Sequence, residues 1–280
     1  MEIISLPQYL NLDVSAPLHL YDYQISTAQL KNKINLTHNT FSFLVEGTKE
    51  VLTDHQPVSI ENSDFLLMKS GHCLMTEQLS SHNKQYRSIL FFFSNETLFE
   101  FIRKHGITSK MAHAANPIQV CAYDEYIRSF VKSLADIQKL SPTLQQKLLE
   151  VKFEEIMLYL AETCGNDFLQ FLAANTDNST SNLIRVVENN QLNKLTLKEL
   201  SFLSNMSIST FKREFEKQFQ TSPSRWFQDK RLEHSAHLLR NESKRPTEIF
   251  EAIGYETLST YIQAFKAKYG MTPKQYQLQE

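Results

Sequence analysis

The sequence predicts an α+β protein with a small β-barrel or jelly roll first, helices after it, and an all-α C-terminal domain of two similar units. Three observations predict this fold class. Short apolar segments separated by turns fill the first third of the chain, the apolar period becomes helical near residue 95, and one aromatic pattern occurs twice near the C-terminus. At 280 residues, the chain is long enough for two cores.

The first region, from Met1 to about Phe93, is predicted to consist of short strands. Each apolar segment ends at residues that favour turns. The predicted strands and turns are Phe41 to Val45 before Gly47, Val51-Leu52 before His55-Gln56-Pro57, Val58 to Ile60 before Glu61 to Asp64, and Phe65 to Met68 before Ser70-Gly71. Many short strands at this spacing are typical of a small barrel or jelly roll.

The second region, from about Asn95 to Asn175, has a helical period. Its longest predicted helix runs from Leu144 to Leu160. Four apolar residues are expected to line one side of this helix: Leu144, Leu148, Val151 and Leu158. The short polar segment that follows, residues 176–180, is interpreted as a linker.

The aromatic pattern is repeated with an offset of 50 residues. The first copy is Phe211, Phe215, Phe219, Pro223 and Trp226, and the second is Tyr261, Phe265, Tyr269, Pro273 and Tyr276. Rings four residues apart lie on one face of a helix, so each copy predicts an amphipathic helix with a buried aromatic stripe, ended by a proline. An ordinary helical bundle would show the same stripes.

The residues before each stripe distinguish a helix-turn-helix unit from a bundle. Three leucines at positions 197, 200 and 203 predict a short helix, and Ser204 to Ser207 read as a turn followed by an N-cap. Before the second stripe, Gly254 follows the apolar residues Ile249, Phe250 and Ile253, and glycine readily takes the positive φ of a tight turn. In the helix-turn-helix arrangement, the second helix enters the major groove of DNA.

From Leu197 to Tyr276 the chain resembles the DNA-binding domain of the AraC/XylS family of bacterial transcription regulators. The motifs that carry this resemblance, in family order, are Met206-Ser207, Phe215, Ser222-Pro223, Arg231-Leu232 with Ala236 and Leu238-Leu239, Ile249, Gly254-Tyr255, Phe265-Lys266, Tyr269-Gly270, and Thr272-Pro273 with Tyr276. The resemblance covers about the last hundred residues. It implies a sequence-specific DNA-binding transcription regulator, an activator, with two helix-turn-helix units joined by a long helix.

The N-terminal part is similar to the cupin-like regulatory domain of the same family in general shape only. The resemblance implies four segments: a cupin-like regulatory domain at 1–115, a helical dimerisation region at 116–175, the linker at 176–180, and the DNA-binding domain at 181–280. The two helix-turn-helix units are expected at about 197–219 and 247–269.

Charge is distributed unevenly along the chain, whose formal net charge is −2. From residue 181 onward there are 15 Lys and Arg against 11 Asp and Glu, a net charge of +4, and the remainder carries −6. Affinity for phosphates follows the local potential, so a basic C-terminal domain is compatible with nucleic-acid binding. A mixed, solvated surface would have a similar composition.

In the first recognition helix, the resemblance places Ser209, Lys212 and Arg213 on the face that enters the groove. Arg213 is the best candidate to read a base, because arginine donates two hydrogen bonds to guanine O6 and N7. Contacts to phosphates are expected from Ser207, Thr210 and Lys217. A solvated helix face with no DNA contact is the alternative.

The second recognition helix departs from the family pattern and is expected to read sequence weakly. Its DNA-binding candidates are Thr257, Leu258, Ser259, Ile262, Gln263 and Lys266. Leu258 or Ile262 is placed to touch a thymine methyl group, and Gln263 to pair with adenine. Three further departures are Ser201 and Phe250 where relatives usually have alanine, and Gln220 where glycine usually ends the helix. Phe250 puts the close packing of the second helix pair in doubt.

A helix from Ser224 to Arg240 is predicted between the two units. At 1.5 Å per residue it is roughly 25 Å long, which allows two recognition helices to enter successive major grooves about 34 Å apart. Trp226, Leu232, Ala236 and Leu239 are expected to pack rather than contact bases. Each basic residue of this helix contacts phosphate or faces water, and Arg231 is equally suited to a structural role: the set is Arg225, Lys230, Arg231 and Arg240.

Two alternatives stay open: a cupin-type metalloenzyme with a helical appendage, and a helical protein-interaction module. A metal centre needs several converging donors, whereas His38, His55, His72 and His82 are isolated in the sequence. We therefore expect no catalytic residue, metal or cofactor. Three widely separated cysteines, Cys73, Cys121 and Cys164, are interpreted as buried apolar residues.

The sequence shows neither a membrane span nor a signal peptide, and predicts a soluble cytoplasmic protein. Promoter DNA, RNA polymerase and a second copy of the chain are the expected partners, and the effector is either a small molecule or a protein. Five phenylalanines either line a ligand pocket or fill the core: Phe41, Phe43, Phe65, Phe91 and Phe93.

Overall fold

The structure is a computed structural model that describes residues 2–107, 116–173, 179–242 and 244–278. The chain divides into two compact units, Met1–Asn178 and Ser179–Glu280. Most of the predicted linker, residues 176–178, lies outside the described residues, and a helix begins at Ser179. We call these two parts the N-terminal unit and the C-terminal unit.

The predicted α+β class is confirmed, but the described strands form two five-stranded sheets rather than a closed barrel. The strands are β1 (Ile3–Leu6), β2 (Leu18–Ile25), β3 (Gln29–Leu36), β4 (Asn39–Glu46), β5 (Thr48–Leu52), β6 (Val58–Ile60), β7 (Asp64–Met68), β8 (Gly71–Gln78), β9 (Tyr86–Phe93) and β10 (Ile118–Ala122). One sheet has the order β1-β3-β8-β5-β6 and the other β10-β7-β4-β9-β2. Among the described strands, all pairs are antiparallel except β1 with β3.

The second sheet is buried on both faces, which explains the apolar run from Phe65 to Met68. On β7, Phe65 and Leu67 pack against the helices of the N-terminal unit, while Leu66 and Met68 pack toward the first sheet. Side chains alternate along a strand, so a strand covered on both faces needs consecutive apolar residues.

The five phenylalanines predicted to line a ligand pocket or to fill the core lie in the core, on the helix-facing side of this sheet: Phe41, Phe43, Phe65, Phe91 and Phe93. Each is at most 1% exposed. Their rings meet aromatic side chains from the helices: the Phe43 and Phe130 centroids lie 5.8 Å apart, and those of Phe93 and Phe153 lie 5.0 Å apart. These separations are typical of favourable aromatic pairs.

Strand β10 lies in the region that the sequence analysis assigns to helices, and this assignment is wrong for residues 118–122. Cys121 pairs with Phe65 of β7, more than fifty residues earlier in the chain. The strand has only five residues, and its partner is distant in sequence. A local apolar pattern therefore carries little sign of it.

The helices of the N-terminal unit are α1 (Asn95–Lys104), α2 (Glu125–Ile137), α3 (Pro142–Thr163) and α4 (Gly165–Ala173). The predicted long helix is α3. The core side of α3 is formed by Leu149, Phe153, Ile156, Met157 and Leu160. Of the four residues predicted to line one side, Leu144, Val151 and Leu158 are 46%, 60% and 43% exposed. Their side of α3 therefore faces away from the core.

The C-terminal unit consists of α5 (Ser179–Asn189), α6 (Leu197–Leu203), α7 (Ile208–Phe219), α8 (Pro223–Asn241), α9 (Pro246–Ile249), α10 (Leu258–Tyr269) and α11 (Pro273–Gln277). The first helix-turn-helix unit is α6–α7 and the second is α9–α10. Between them, α8 is the predicted long connecting helix, with 19 residues.

The sequence repeat is reproduced in three dimensions. The Phe215–Phe219 centroids lie 4.5 Å apart with the rings inclined by 34°, and the equivalent Phe265–Tyr269 centroids lie 4.6 Å apart with the rings inclined by 36°. Each stripe is closed by another ring. The Phe219–Trp226 distance is 5.2 Å and the Tyr269–Tyr276 distance is 5.1 Å. Both stripes are thus packed in the same way.

Both recognition helices begin at a hydroxyl cap and follow a residue with positive φ. The Ser207 and Thr257 hydroxyls accept hydrogen bonds from the backbone N–H of residues 210 and 260, respectively. Asn205 has a φ of 53° and Gly254 has a φ of 90°. The predicted turns and caps are therefore present, although the second turn has one more residue between its positive-φ residue and its cap.

The second helix pair is less regular than the first. Helix α9 has four residues where α6 has seven, and Phe250 forms its C-cap. The Phe250 ring is half-buried and packs against the core around α8 and α10. Ser201, the other departure, is buried with its hydroxyl bonded to the Lys198 carbonyl at 3.1 Å.

We expect Gln220→Gly to stabilise the first unit by up to about 1 kcal/mol, because Gln220 ends α7 in the left-handed conformation with φ 54°. Gly270 ends α10 in the same way, with φ 74°, and a Cβ there would meet no atom within 4 Å. Gly270→Ala is therefore the matched control for conformational strain and should destabilise by about 1 kcal/mol.

Urea titration followed by fluorescence measures both effects, since the only tryptophan of the chain, Trp226, packs beside Phe219. A lower unfolding midpoint for Gln220→Gly would show that the hydrogen bond from the Gln220 side-chain amide to the Lys217 carbonyl outweighs backbone strain.

Candidate nucleic-acid interface

Helix α7 presents its candidate base-reading residues on the side opposite its aromatic stripe. Phe211 and Phe215 are 0% exposed. Ser209, Lys212 and Arg213 are exposed, as the predicted groove-facing positions require. Since the stripe fixes the rotation of the helix about its axis, the three polar side chains point outward together.

The Arg213 guanidinium is accessible. Its side chain is 72% exposed, and its Nε lies 3.2 Å from Oε1 of the adjacent Glu214. An exposed ion pair of this kind contributes little free energy. Arg213 can therefore leave Glu214 for another acceptor, such as the paired O6 and N7 atoms of guanine, at small cost.

The predicted phosphate-contacting residues lie at both ends of α7. At the N-terminus, the Ser207 hydroxyl lies 3.0 Å from the Ser209 hydroxyl and 2.9 Å from the Thr210 hydroxyl. This end of a helix carries a partial positive charge that favours a phosphate. Lys217, in the last turn, is also exposed.

In helix α10, the twelve-residue equivalent of α7, polar and apolar candidates behave differently. The exposed candidates are Thr257, Ser259, Gln263 and Lys266. Leu258 and Ile262 are half-buried and pack against the core around α8. The two apolar residues thus have limited surface for a thymine methyl group, which agrees with a helix that reads sequence weakly.

The basic residues of α8 have different environments. Arg225 is exposed, whereas Arg231 is half-buried and its Nε donates to the Phe227 carbonyl at 3.3 Å. Lys230 pairs with Glu233 at 2.9 Å. The Arg240 guanidinium lies 4.1 Å from the centroid of a ring on α11. Only Arg225 among the four extends from α8 without one of these intramolecular contacts.

Sequence reasoning missed Lys268, which fastens α10 to α8. Its Nζ donates to the Asp229 carbonyl at 2.9 Å and lies 3.1 Å from the Glu233 carboxylate. The partners are 35 and 39 residues away, so no local spacing indicates this contact. Nearby lysines lower the pKa of Glu233, mainly through the hydrogen bond from Lys230.

A cavity opens between the two sheets of the N-terminal unit. The cavity is small, with a volume of about 40 Å³, and it is partly open to solvent. Most of its wall is apolar, and its polar side chains are Tyr9, Tyr23, Asn32, Thr40, Lys49 and Glu77. The five phenylalanines of the helix-facing core are not among the residues that line it.

The polar part of this cavity is centred on a buried ion pair. Lys49 is 2% exposed and Glu77 is 6% exposed, and their charged groups lie 3.3 Å apart. Lys49 also donates to the Ser42 hydroxyl at 3.0 Å. Burial, followed by the Glu77 charge, raises the pKa of the Tyr23 hydroxyl. A buried pair beside a cavity indicates a candidate ligand site.

The His19 and His38 rings are neighbours, with centroids 5.8 Å apart. No three His, Cys, Asp or Glu side chains among the described residues lie close enough to share a metal ion. The expectation for the cysteines is wrong at Cys164, which is exposed; Cys73 and Cys121 are buried. Burial raises the pKa of each of these two thiols to about 12.

None of the described helices combines the length and apolar character that crossing a membrane requires.

Comparisons with known proteins assign both parts of the chain. The profile described as "ExsA N-terminal regulatory domain" matches residues 39–171, and that described as "Helix-turn-helix domain" matches residues 201–279. All twelve candidate DNA-binding residues lie in the second match. Both matched families describe parts of transcription regulators rather than enzymes.

Several curated relatives are similar over long segments. The chain is 27% identical over 183 residues to the virulence regulon transcriptional activator VirF of Yersinia enterocolitica, covering 65% of each protein. It is 23% identical over 235 residues to the regulator ExsA of Pseudomonas aeruginosa, covering 82% of each. It covers only 49% of the thermoregulatory protein LcrF of Yersinia pestis. The chain therefore spans about half of LcrF and two thirds of VirF, and more of ExsA. A structure of ToxT from Vibrio cholerae aligns with 93% of this chain and 98% of its own, at 11% identity and a TM-score of 0.41.

Proposed function

The chain belongs to the AraC/XylS family of transcription regulators, and we propose that it binds promoter DNA by placing α7 and α10 in successive major grooves. One observation carries this proposal: the buried aromatic stripes leave polar candidate residues exposed on both helices. The N-terminal unit controls this binding.

The two recognition helices have unequal roles in this proposal. Helix α7 supplies the main base contacts through Arg213 and Lys212, which are both exposed. Helix α10 supplies Gln263 for a base and Thr257 and Lys266 for phosphates. The protein acts as an activator in the cytoplasm, where RNA polymerase is its further partner.

We expect Arg213→Ala to lose about 1–3 kcal/mol of discrimination at one base-pair position, because a bidentate arginine–guanine contact is removed. Lys217→Ala should instead weaken binding to all sequences and reduce the salt dependence. Competition binding with duplexes selected from a random pool, and with their single-base variants, measures both effects.

Arg103→Ala is the matched control, since Arg103 is exposed in the N-terminal unit and its loss removes the same charge. An unchanged base preference in Arg213→Ala would contradict the assignment of α7 as the reading helix.

We also propose that two copies of the chain associate through α3. Leu144, Val151 and Leu158 are exposed at intervals of seven residues on one side of this helix. Two helices with a seven-residue apolar repeat pack against each other as a coiled pair. A second copy supplies the same stripe, so a two-fold symmetric pairing buries both.

We expect Val151→Glu to convert the dimer to a monomer, because it places a charge in the centre of the buried seam. Leu30→Glu is the matched control, as Leu30 is also 60% exposed but lies on β3. Analytical ultracentrifugation measures the association. A wild-type chain that is monomeric, or a Val151→Glu chain that remains dimeric, would refute the α3 interface.

We propose that the cavity between the sheets receives a small effector, an uncharged amphiphile. A hydroxyl or amide head can accept from Lys49 and donate to Glu77, while its chain lies along the apolar wall. A charged head would add net charge to a buried pair that is already neutral, which costs desolvation free energy. A protein effector remains the competing possibility for this family.

We expect octanol to raise the midpoint of thermal unfolding, while octanoate and octylamine, with the same chain length, do not. Differential scanning calorimetry measures the shifts. Leu90→Phe, which adds volume at the cavity wall, should remove the effect, and Val120→Phe, at an exposed position of β10, should keep it. Equal shifts for all three compounds would indicate non-specific adsorption instead.

A further inference from the structure

Lys194 connects the loop after α5 to the turn of the second helix-turn-helix unit. Its Nζ donates to the carbonyl oxygen of Glu251 at 2.6 Å. Glu251 lies between α9 and α10, 57 residues further along the chain. This bond therefore joins the part of the chain that precedes the first unit to the turn that orients the second recognition helix.

The Arg231 side chain lies beside the same turn. Its Nη1 lies 3.0 Å from the position that a Cβ on Gly254 would occupy. On its other side, Arg231 lines a cleft with residues of the 191–200 segment and the first turns of α8. The Arg231 guanidinium thus lies between the first helix-turn-helix unit and the turn of the second one.

Gly254 meets two requirements at this point. Its φ of 90° is a conformation that residues with a side chain rarely adopt. A Cβ would also press on Arg231 and would stand 3.7 Å from the Cε of Lys194. A side chain at this position would therefore crowd the Arg231 guanidinium, whereas its contact with Lys194 would be of ordinary length.

A connecting helix alone does not determine the geometry of the two recognition helices. Helix α8 sets the distance between its own ends, and Lys268 and the second aromatic stripe hold α10 against it. The turn before α10 is held in addition by Lys194, which reaches it from the segment ahead of the first helix-turn-helix unit. Arg231, on α8, lies beside the same turn.

We propose that Lys194 and Arg231 are positioning residues that set the base-pair spacing at which both recognition helices bind DNA. This inference rests on the proposed function and adds a determinant of specificity that touches no base. Lys194 lies ahead of the matched helix-turn-helix segment, residues 201–279. The contact thus extends beyond the segment by which the domain is recognised.

The test uses the full chain and duplexes selected by the wild type from a random pool. The affinities of wild type and of Arg213→Ala are measured for single-base variants of these duplexes. Positions at which Arg213→Ala no longer discriminates mark the segment that α7 contacts, and the other sensitive positions mark the segment that α10 contacts. One base pair is then inserted between the two segments. The spacing ratio is the affinity for the original duplex divided by the affinity for the lengthened one.

We expect the spacing ratio to fall about three- to tenfold in Lys194→Met and in Arg231→Met, because the second unit then adapts to the longer site. Lys194→Arg keeps a donor and should keep the ratio. Lys244→Met is the charge control: Lys244 is exposed in the same unit and pairs with Glu242 at 2.8 Å. If Arg231→Met does not fold, the spacing ratio of Lys194→Met, a change at an exposed position, decides the test.

A wild-type ratio in both methionine variants overturns the inference while leaving DNA binding intact. Failure of the wild type to select any sequence counts against the proposed function instead, and a measurement without DNA then decides this inference. Spin labels at Ser209→Cys and Ser259→Cys, equivalent exposed positions of α7 and α10, report the distance between the helices in a Cys164→Ser background. We expect a broader distance distribution in Lys194→Met than in wild type, and an unchanged distribution overturns the inference.

Discussion

The burial of two aromatic stripes against one helix is the constraint on which the C-terminal unit depends. Helix α8 meets the first stripe near its N-terminus, where Trp226 closes the ring cluster, and meets the second stripe along Leu232, Ala236 and Leu239. Neither recognition helix can rotate about its axis without exposing a phenylalanine or tyrosine that is now fully buried. Such exposure costs about 1.5–3 kcal/mol for each large apolar side chain. Packing inside the domain therefore decides which residues of α7 and α10 are exposed.

The N-terminal unit uses burial differently, because its second sheet is covered on both faces. The helix-facing side is almost wholly aromatic and aliphatic, whereas the side between the sheets holds Lys49, Glu77 and two serines, Ser42 and Ser88, whose hydroxyls lie 2.9 Å apart. An ion pair in this position is weak evidence for stability, since desolvation offsets much of the attraction. The helix-facing core packs the sheet against the helices, and the polar groups lie on the other face of the sheet.

Sequence reasoning succeeded where the determining contacts are local. The spacing of Phe211, Phe215 and Phe219 predicts α7 and its exposed face, since residues four apart in a helix share a side. Gly254 and Ser207 mark a turn and a cap through chemistry confined to a few residues. The failures have a common physical cause, because they depend on partners far away in sequence. Strand β10 exists through its pairing with β7, the outward side of α3 is decided by which face the sheet covers, and Lys194 finds its acceptor 57 residues away. The cavity likewise arises from two sheets that no single segment specifies.

The two halves of the repeat have diverged in the balance between packing and recognition. In the second half, the stripe begins with Tyr261, whose buried hydroxyl is hydrogen-bonded to Ser235 of α8, where the first half has Phe211. Lys268 adds polar contacts to α8, and Leu258 and Ile262 turn part of the potential recognition face toward the core. These contacts compensate for the short α9, which offers α10 less helical surface than α6 offers α7. A recognition helix that contributes more of its side chains to packing retains fewer for bases. The loss of regular structure in α9 and the weaker reading expected of α10 therefore have one origin.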